Sequence, residues 1–476
     1  MKEAAVAPNR TLSNSTINKY GLYMFFSSLA VMVPMSYQNI FMTDCLGLAA
    51  GLVGGTLLIG RIIDLIVSLL AGGIIEKHPL THGKYRSWLL LGRWIVVFGV
   101  LCQFFDTSAL PVVARCSICL VGYMCVNCFM NFTTNAFYAL GPVIAGADQA
   151  GRYKMNAKGV QYSTIAMLIT SAATIPFINL LTPALGVGWS YFTVAAVFAI
   201  PYIFGCGMLS REASGVDPDG PKGGASGRPV VTILDMVKSV VQNKMMLAIF
   251  TVFCLYYVGM FMYSGMLAHY YMYVVGDFNK MALNSSITTV GGVLFASIIP
   301  RTLGAKLGKR KAFIVGLGLY GVSMILIFVC FVTNWIVFLA FSLLMGAATY
   351  VFSSYSALYF MDVGEYYLYK TGKDTRTVAI SMMSVPMKIG MMIGSTLSLT
   401  LLGGLGYQPG MQVTQAFIHG FLRNLALIPG ICVLLAVVVF ILCYRITDKD
   451  AELYATENAK KFSMTGTVQP ADDDAQ

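Results

Sequence analysis

Hydrophobic positions along this chain neither alternate as in a half-buried strand nor recur at every third or fourth place as on a soluble helix. They run on in blocks. Twelve apolar windows of about 20 residues, the length that crosses the hydrocarbon core as a helix, lie near 18–42, 48–75, 87–105, 110–141, 159–181, 187–210, 245–275, 281–300, 312–333, 335–361, 378–402 and 420–443. The pattern predicts an all-α membrane protein of 12 transmembrane helices. No small-residue processing site follows the first window, which is also too long for a cleaved signal, so it reads as a span.

The breaks between blocks are as informative as the blocks. Between the sixth and seventh windows, Gly, Pro and charged residues from Ser210 to Gly224 read as a flexible linker. Helical apolar spacing follows from Thr232 to Lys244. The expected organisation is a 1–17 N-terminal segment, a 18–210 six-helix bundle, a 211–244 linker with an amphipathic helix, a 245–446 six-helix bundle and a 447–476 tail. That tail ends in Asp472-Asp473-Asp474 and is expected to be disordered. Gly54-Gly55 and Gly291-Gly292 each open a span that ends in a basic loop, a weak likeness between halves. Parallel six-helix repeats around a central site are the major facilitator arrangement.

Composition then sharpens the picture. Of the 476 residues 57% are hydrophobic and 11% charged, and the mean hydropathy is +0.72, far from a soluble domain with about one-quarter charged residues. Alternating the loops places 26 of the 32 Lys and Arg on one side of the membrane. Basic loops stay inside, so both termini are expected in the cytoplasm, with the chain multi-pass in the cell (inner) membrane. The net charge of +11 then reflects orientation, and no nucleic-acid partner is implied. Cys116-x-x-Cys119 and Cys125-x-x-Cys128 imitate a zinc pattern, yet on one continuous helix the pairs point to roughly opposite faces, so no metal site is expected. Thr371-Gly372-Lys373-Asp374-Thr375 lacks the glycine spacing of a phosphate loop. The histidines His78, His82, His269 and His419 are scattered, so no catalytic residues are expected and the protein is not read as an enzyme.

Charge inside the blocks is rare and points to chemistry. Arg61 and Asp64 fall in mid-span, where each charge costs about 2.5–3.5 kcal/mol on insertion scales. Three residues apart, they share a helix face and form a candidate buried charge pair. One reading is a brace between helices, and the other is an ion-coupling or substrate site. Lys388 is a third buried charge. Gln38 and Asn39 on the first span, and Asn131, Thr134, Asn135 and Tyr138 on the fourth, supply neutral hydrogen-bonding groups suited to hydroxyl-rich ligands or to gluing helices together.

Several motifs resemble one family throughout the chain. They are Thr43-Asp44-x-x-Gly47-Leu48, Gly51-Leu52-Val53-Gly54, Arg61-x-x-Asp64, Gly83-Lys84, Asp362-Val363-x-Glu365-Tyr366, Lys370-Thr371-Gly372, Lys388-Ile389-Gly390 and Gly406-Tyr407. The chain resembles the glycoside-pentoside-hexuronide:cation symporters of the major facilitator superfamily. The resemblance implies cation-coupled symport of a sugar-class solute by alternating access. It places Asp64 at the cation-site aspartate, Lys388 at a buried lysine of the eleventh helix, Ser384 beside the cation path and Tyr138 against the sugar. The candidate cation-coupling residues are therefore Asp64, Ser68, Asn131 and Ser384. The candidate substrate residues are Gln38, Asn39, Thr134, Asn135, Tyr138 and Lys388. No cofactor is implied beyond a sodium ion or proton as coupling ion.

The departures from the family bear on both ligands. Ser68 stands in place of a second carboxylate and Val67 in place of an asparagine, so a sodium site would have few oxygens and proton coupling through Asp64, or none, gains weight. Ser27-Ser28 replace a Lys-Asp pair, Thr134 replaces an aspartate, and Lys158 lies beside Gly159 where an arginine is expected. A cavity keeping Lys388 and Arg61 suits a carboxylated glycoside or another organic anion, while Gln38, Asn39, Asn131 and Asn135 suit a neutral glycoside. The expected partners are such a small solute and membrane lipid, with the protein a monomer. Transport of a non-sugar organic anion, uncoupled facilitation and a transporter-derived ligand sensor are the alternatives.

Overall fold

The computed structural model describes residues 12–77, 80–145, 149–217, 243–372, 379 and 382–465. Residues 218–242, which hold most of the expected linker and its amphipathic helix, lie outside this set, as do the first eleven and the final eleven. The elements in order are α1 (Asn14–Ile40), α2 (Ala50–Lys77), α3 (Arg86–Gln103), α4 (Val112–Ala145), α5 (Gln149–Leu185), α6 (Val187–Ala199) and α7 (Pro201–Glu212). They continue with α8 (Lys244–His269), α9 (Asn279–Val329, two helical stretches broken at the non-helical Gly308), α10 (Trp335–Thr371), α11 (Ser384–Gly404), α12 (Gln415–Leu422), α13 (Ile428–Cys443) and α14 (Asp448–Thr465). Helices satisfy every backbone polar group within the segment, which the bilayer demands.

Ten helices among the described residues are long and apolar enough to cross a membrane. Pro201 separates α6 from α7 inside one such span, and a π-turn at Arg423–Leu427 joins α12 to α13 in another. The window expected at 18–42 is helical as α1 but is not among the ten, because Ser27, Ser28, Ser36, Gln38 and Asn39 lower its apolarity. The window at 281–300 falls within α9.

The chain forms two compact units. Unit 1 holds residues up to 230 together with 267–289 and 399–413, and unit 2 holds 231–266, 290–398 and 414 onward. In unit 1, Ser13 caps α1 by accepting the Thr16 amide at 3.1 Å. α3 packs on α4 through Trp88 stacked on Phe132, with ring centroids 4.8 Å apart, and through Gln103, whose amide donates to the Gly122 carbonyl at 3.1 Å. In unit 2 an aromatic core gathers Phe253, Tyr256, Phe313, Phe352, Tyr359 and Phe440, with Tyr256 stacked on Phe352 at 3.8 Å.

Each unit contains the same corner. Gly83 turns with φ +111, and the Asp217 carboxylate accepts the amides of Tyr85 (3.0 Å) and Arg86 (2.9 Å), opening α3. A Cβ on Gly83 would lie 2.5 Å from that carboxylate, so glycine is required by both sterics and dihedral. Arg86 Nε closes the corner on the Ser210 carbonyl at 2.7 Å. In unit 2, Gly308 turns with φ +77, Asp448 accepts the Arg310 amide at 3.4 Å, and Arg310 Nη2 donates to the Tyr444 carbonyl at 3.0 Å.

The C-terminal tail differs from the expected disorder: Asp448–Thr465 is a helix docked on α10. Thr447 and Asp450 cap each other's amides at its start. Asn458 is 4% exposed and donates to the Glu365 carboxylate at 2.6 Å and to its carbonyl at 3.0 Å, while Tyr454 packs against Tyr366 and Tyr369. These anchors give a polar, acidic segment enough contacts to order it, which composition does not reveal.

Candidate functional site

α2 sorts its residues by face. Ile59, Ile62, Ile66 and Leu70 form one exposed stripe, about 40–50% accessible, at the i, i+3, i+7, i+11 spacing of a lipid-facing helix. Arg61 and Asp64 point the opposite way and are 6% and 1% exposed. The two mid-span charges therefore face protein, the orientation that makes such residues tolerable.

What meets them is α4. Tyr123, Asn127 and Asn131 recur at four-residue spacing along it, one above another. Asn131 Nδ2 donates to Asp64 Oδ1 at 2.6 Å, and the Tyr123 side chain hydrogen-bonds Arg61. Asn127 and Asn131 also anchor to their own helix, through the carbonyls of Tyr123 (3.1 Å) and Asn127 (3.0 Å). Close approach of the helices depends on Gly60, where a Cβ would lie 2.6 Å from the Tyr123 ring. A short charge-assisted bond inside low-dielectric surroundings fixes the carboxylate without neutralising it. The site thus presents one anionic oxygen pair, one amide that can turn its own oxygen toward a cation, and a guanidinium on the same helix face.

The other candidate residues fall variously. Ser68 donates to the Leu65 carbonyl at 2.8 Å, so its hydroxyl hydrogen serves its own helix. Gln38 is buried, with Nε2 lacking a hydrogen-bond partner among the described residues, and Asn39 is half-buried. Thr134 is half-buried, Asn135 exposed and Tyr138 61% exposed, all toward the C-terminal end of α4. Ser384, exposed, opens α11, and Lys388, half-buried, lies one turn further; both belong to unit 2. The structure therefore joins Asp64, Asn131 and Arg61 within unit 1. Tyr123 and Asn127 were not among the expected residues, although their four-residue register with Asn131 is visible in the sequence.

A multi-pass helical protein with buried mid-span charges lined by hydrogen-bonding groups is a membrane transporter in its class, and the comparisons with known proteins agree. The model of the MFS/sugar transport protein family matches residues 19–448. The chain belongs to that family. Among relatives, the Escherichia coli (strain K12) protein named glucuronide carrier protein homolog is 24% identical over 472 residues, covering 96% of this chain and 98% of its own. The Bacillus subtilis (strain 168) symporter YjmB is 23% identical over 455 residues, covering 94% and 96%. The solved nucleoside transporter NupG superposes with a TM-score of 0.64 at 13% identity, covering 91% of this chain and 100% of its own, a likeness of fold.

Proposed function

We propose that the protein carries a sugar-class solute, a glycoside, pentoside or hexuronide, into the cell in symport with a cation, by alternating access. In this reading it resides in the inner membrane with both termini in the cytoplasm, which the bias of basic loops supports, and works as a monomer among lipid. Asp64 is the coupling residue. The observation that carries this reading is its carboxylate, 1% exposed in mid-span and held by a neutral amide of α4. A bound proton or sodium ion cancels that charge and releases Arg61 to pair with an anionic solute, so the loaded, closed site carries no uncompensated charge in low dielectric. Asn131 positions the carboxylate, with Arg61 the standing positive charge beside it. With one carboxylate and Ser68 in place of another, the oxygen count favours a proton over sodium.

Arg61 in mid-span and Lys388 one turn into α11 supply positive charge that fits a carboxylated glycoside. The relative named as a glucuronide carrier homolog supports the same class. Gln38, Asn39, Thr134, Asn135 and Tyr138 supply hydroxyl-binding groups, and Ser384 lies one turn from Lys388. The test is uptake into proteoliposomes of a panel of glucuronides, pentosides and neutral galactosides, driven separately by a pH gradient and a sodium gradient. Uptake of a glucuronide under the pH gradient alone is the expected result. A requirement for sodium overturns the proton, and preference for neutral galactosides overturns the carboxylated class.

A further inference from the structure

At the end of α1 opposite Ser13, polar groups from three distant segments gather on one carboxylate, all within unit 1. Asp44 lies in the π-turn Phe41–Cys45 that finishes α1. It accepts the Tyr407 hydroxyl at 2.8 Å on each of its oxygens, the Tyr273 hydroxyl, and the Thr43 hydroxyl at 2.7 Å. His269 Nε2 stands 3.2 Å from the Thr43 hydroxyl and 3.8 Å from the Asp44 carboxylate. The Tyr407 and Tyr273 hydroxyls are 3.2 Å apart, and the Gly410 amide donates to Tyr273 at 3.2 Å. His269 and Thr43 are 0% exposed and Tyr407 6%.

The chain path gives this cluster its meaning. Residues 267–289 and 399–413 belong to unit 1, while the helix stems that carry them, up to 266, from 290 and up to 398, belong to unit 2. These two tips are thus tied to a unit other than that of their stems, and Asp44 holds one residue of each, Tyr273 and Tyr407. A buried carboxylate gathering several donors is a strong tie when intact, and costly to leave with its donors withdrawn.

We propose that Asp44 is the latch of the outer gate, with Tyr273, Tyr407, Thr43 and His269 as its keepers: the two tips stay on α1 while the outer side is shut and leave Asp44 when it opens. The inference rests on the alternating-access reading above, whose inside termini put the end of the first span outside. It assigns a positioning role, not contact with solute.

The test reads the gate without any solute. The purified protein in lipid nanodiscs is treated with diethyl pyrocarbonate, and modification of His269 is measured by peptide mass spectrometry against exposed His82 in the same molecule. Tyr407→Phe removes one donor to Asp44 and keeps the ring that packs edge-on against His269 at 5.3 Å. Loss of one hydrogen bond to a charged group shifts such an equilibrium about tenfold or more, so His269 modification relative to His82 should rise about tenfold in Tyr407→Phe, and further in Asp44→Asn. Unchanged protection of His269 in Tyr407→Phe overturns the latch, and this milder variant decides if Asp44→Asn fails to fold. Protection that persists while wild-type uptake is normal overturns the latch and leaves symport standing. Release of His269 in a protein whose wild type moves no sugar of the panel supports the latch and counts against the proposed solute class.

Discussion

Asp64→Asn separates coupling from transport. The substitution preserves shape, and the new amide can still accept the Asn131 donor that now bonds Asp64 at 2.6 Å, so the contact of α2 with α4 is retained. What it removes is the charge a cation would neutralise. One pH unit across the membrane is worth about 1.4 kcal/mol, a factor of ten. A carrier that moves one proton with a singly anionic glucuronide carries no net charge, so its accumulation follows the pH gradient, up to about 100-fold for about two units. Proteoliposomes with an imposed pH gradient of about two units, inside alkaline, should show such accumulation of a glucuronide for the wild type and a ratio of about one for Asp64→Asn. Exchange of internal for external solute should persist in the variant, because exchange needs no net cation movement. Accumulation by Asp64→Asn clearly above one would refute the coupling role and leave the Asp64–Asn131 contact as a brace between helices.

Further expectations follow from single contacts. Asn131→Leu leaves the buried Asp64 without its 2.6 Å donor; a bond to a charged group is worth about 1.5–3 kcal/mol, so uptake should fall at least about tenfold while the amount of folded protein in the membrane is maintained, checked by initial rates against a western blot. Gly60→Leu drives a side chain into Tyr123 and should lower the thermal midpoint as well as transport, whereas Gly72→Leu, where a Cβ meets nothing within 4 Å, should change neither. Burial pushes the Asp217 carboxyl above its ordinary range against the amides of Tyr85 and Arg86, which pull it down. The folded state then holds that proton more tightly than the unfolded chain, so this group's contribution grows more favourable as pH falls through its folded pKa; Asp217→Asn should flatten that acid-side rise in a melting-temperature series. Asn458→Ala removes both bonds to Glu365 and should loosen α14, seen as faster tryptic cleavage at Lys460 or Lys461.

Much of this architecture is legible in the chain because the bilayer leaves few choices. Long apolar blocks must become helices, and a charge within one must turn inward, so Arg61 and Asp64 are visible from residue type and position alone. Their neighbours are harder to read. Asn131 stands out as a polar residue in an apolar block, but its partner is fixed only when α2 and α4 pack around Gly60. Asp44 and His269 are 225 positions apart, and nothing local in either segment announces the other. The order of the docked tail is hidden for a related reason: its charges resemble those of a solvated, disordered segment, while its order comes from Asn458 and Tyr454 meeting α10, a tertiary contact that composition does not encode.

That docked tail has a practical consequence for anyone handling the protein. Purification tags, fluorescent fusions and truncations are commonly placed straight after the last hydrophobic stretch, which here would mean cutting near Tyr444. Such a cut would strip the Glu365 carboxylate of its amide partner and take Asp448 away from the Gly308 corner. A reporter joined beyond Thr465 leaves both attachments whole, so the choice of joint decides whether the measured carrier is the native one.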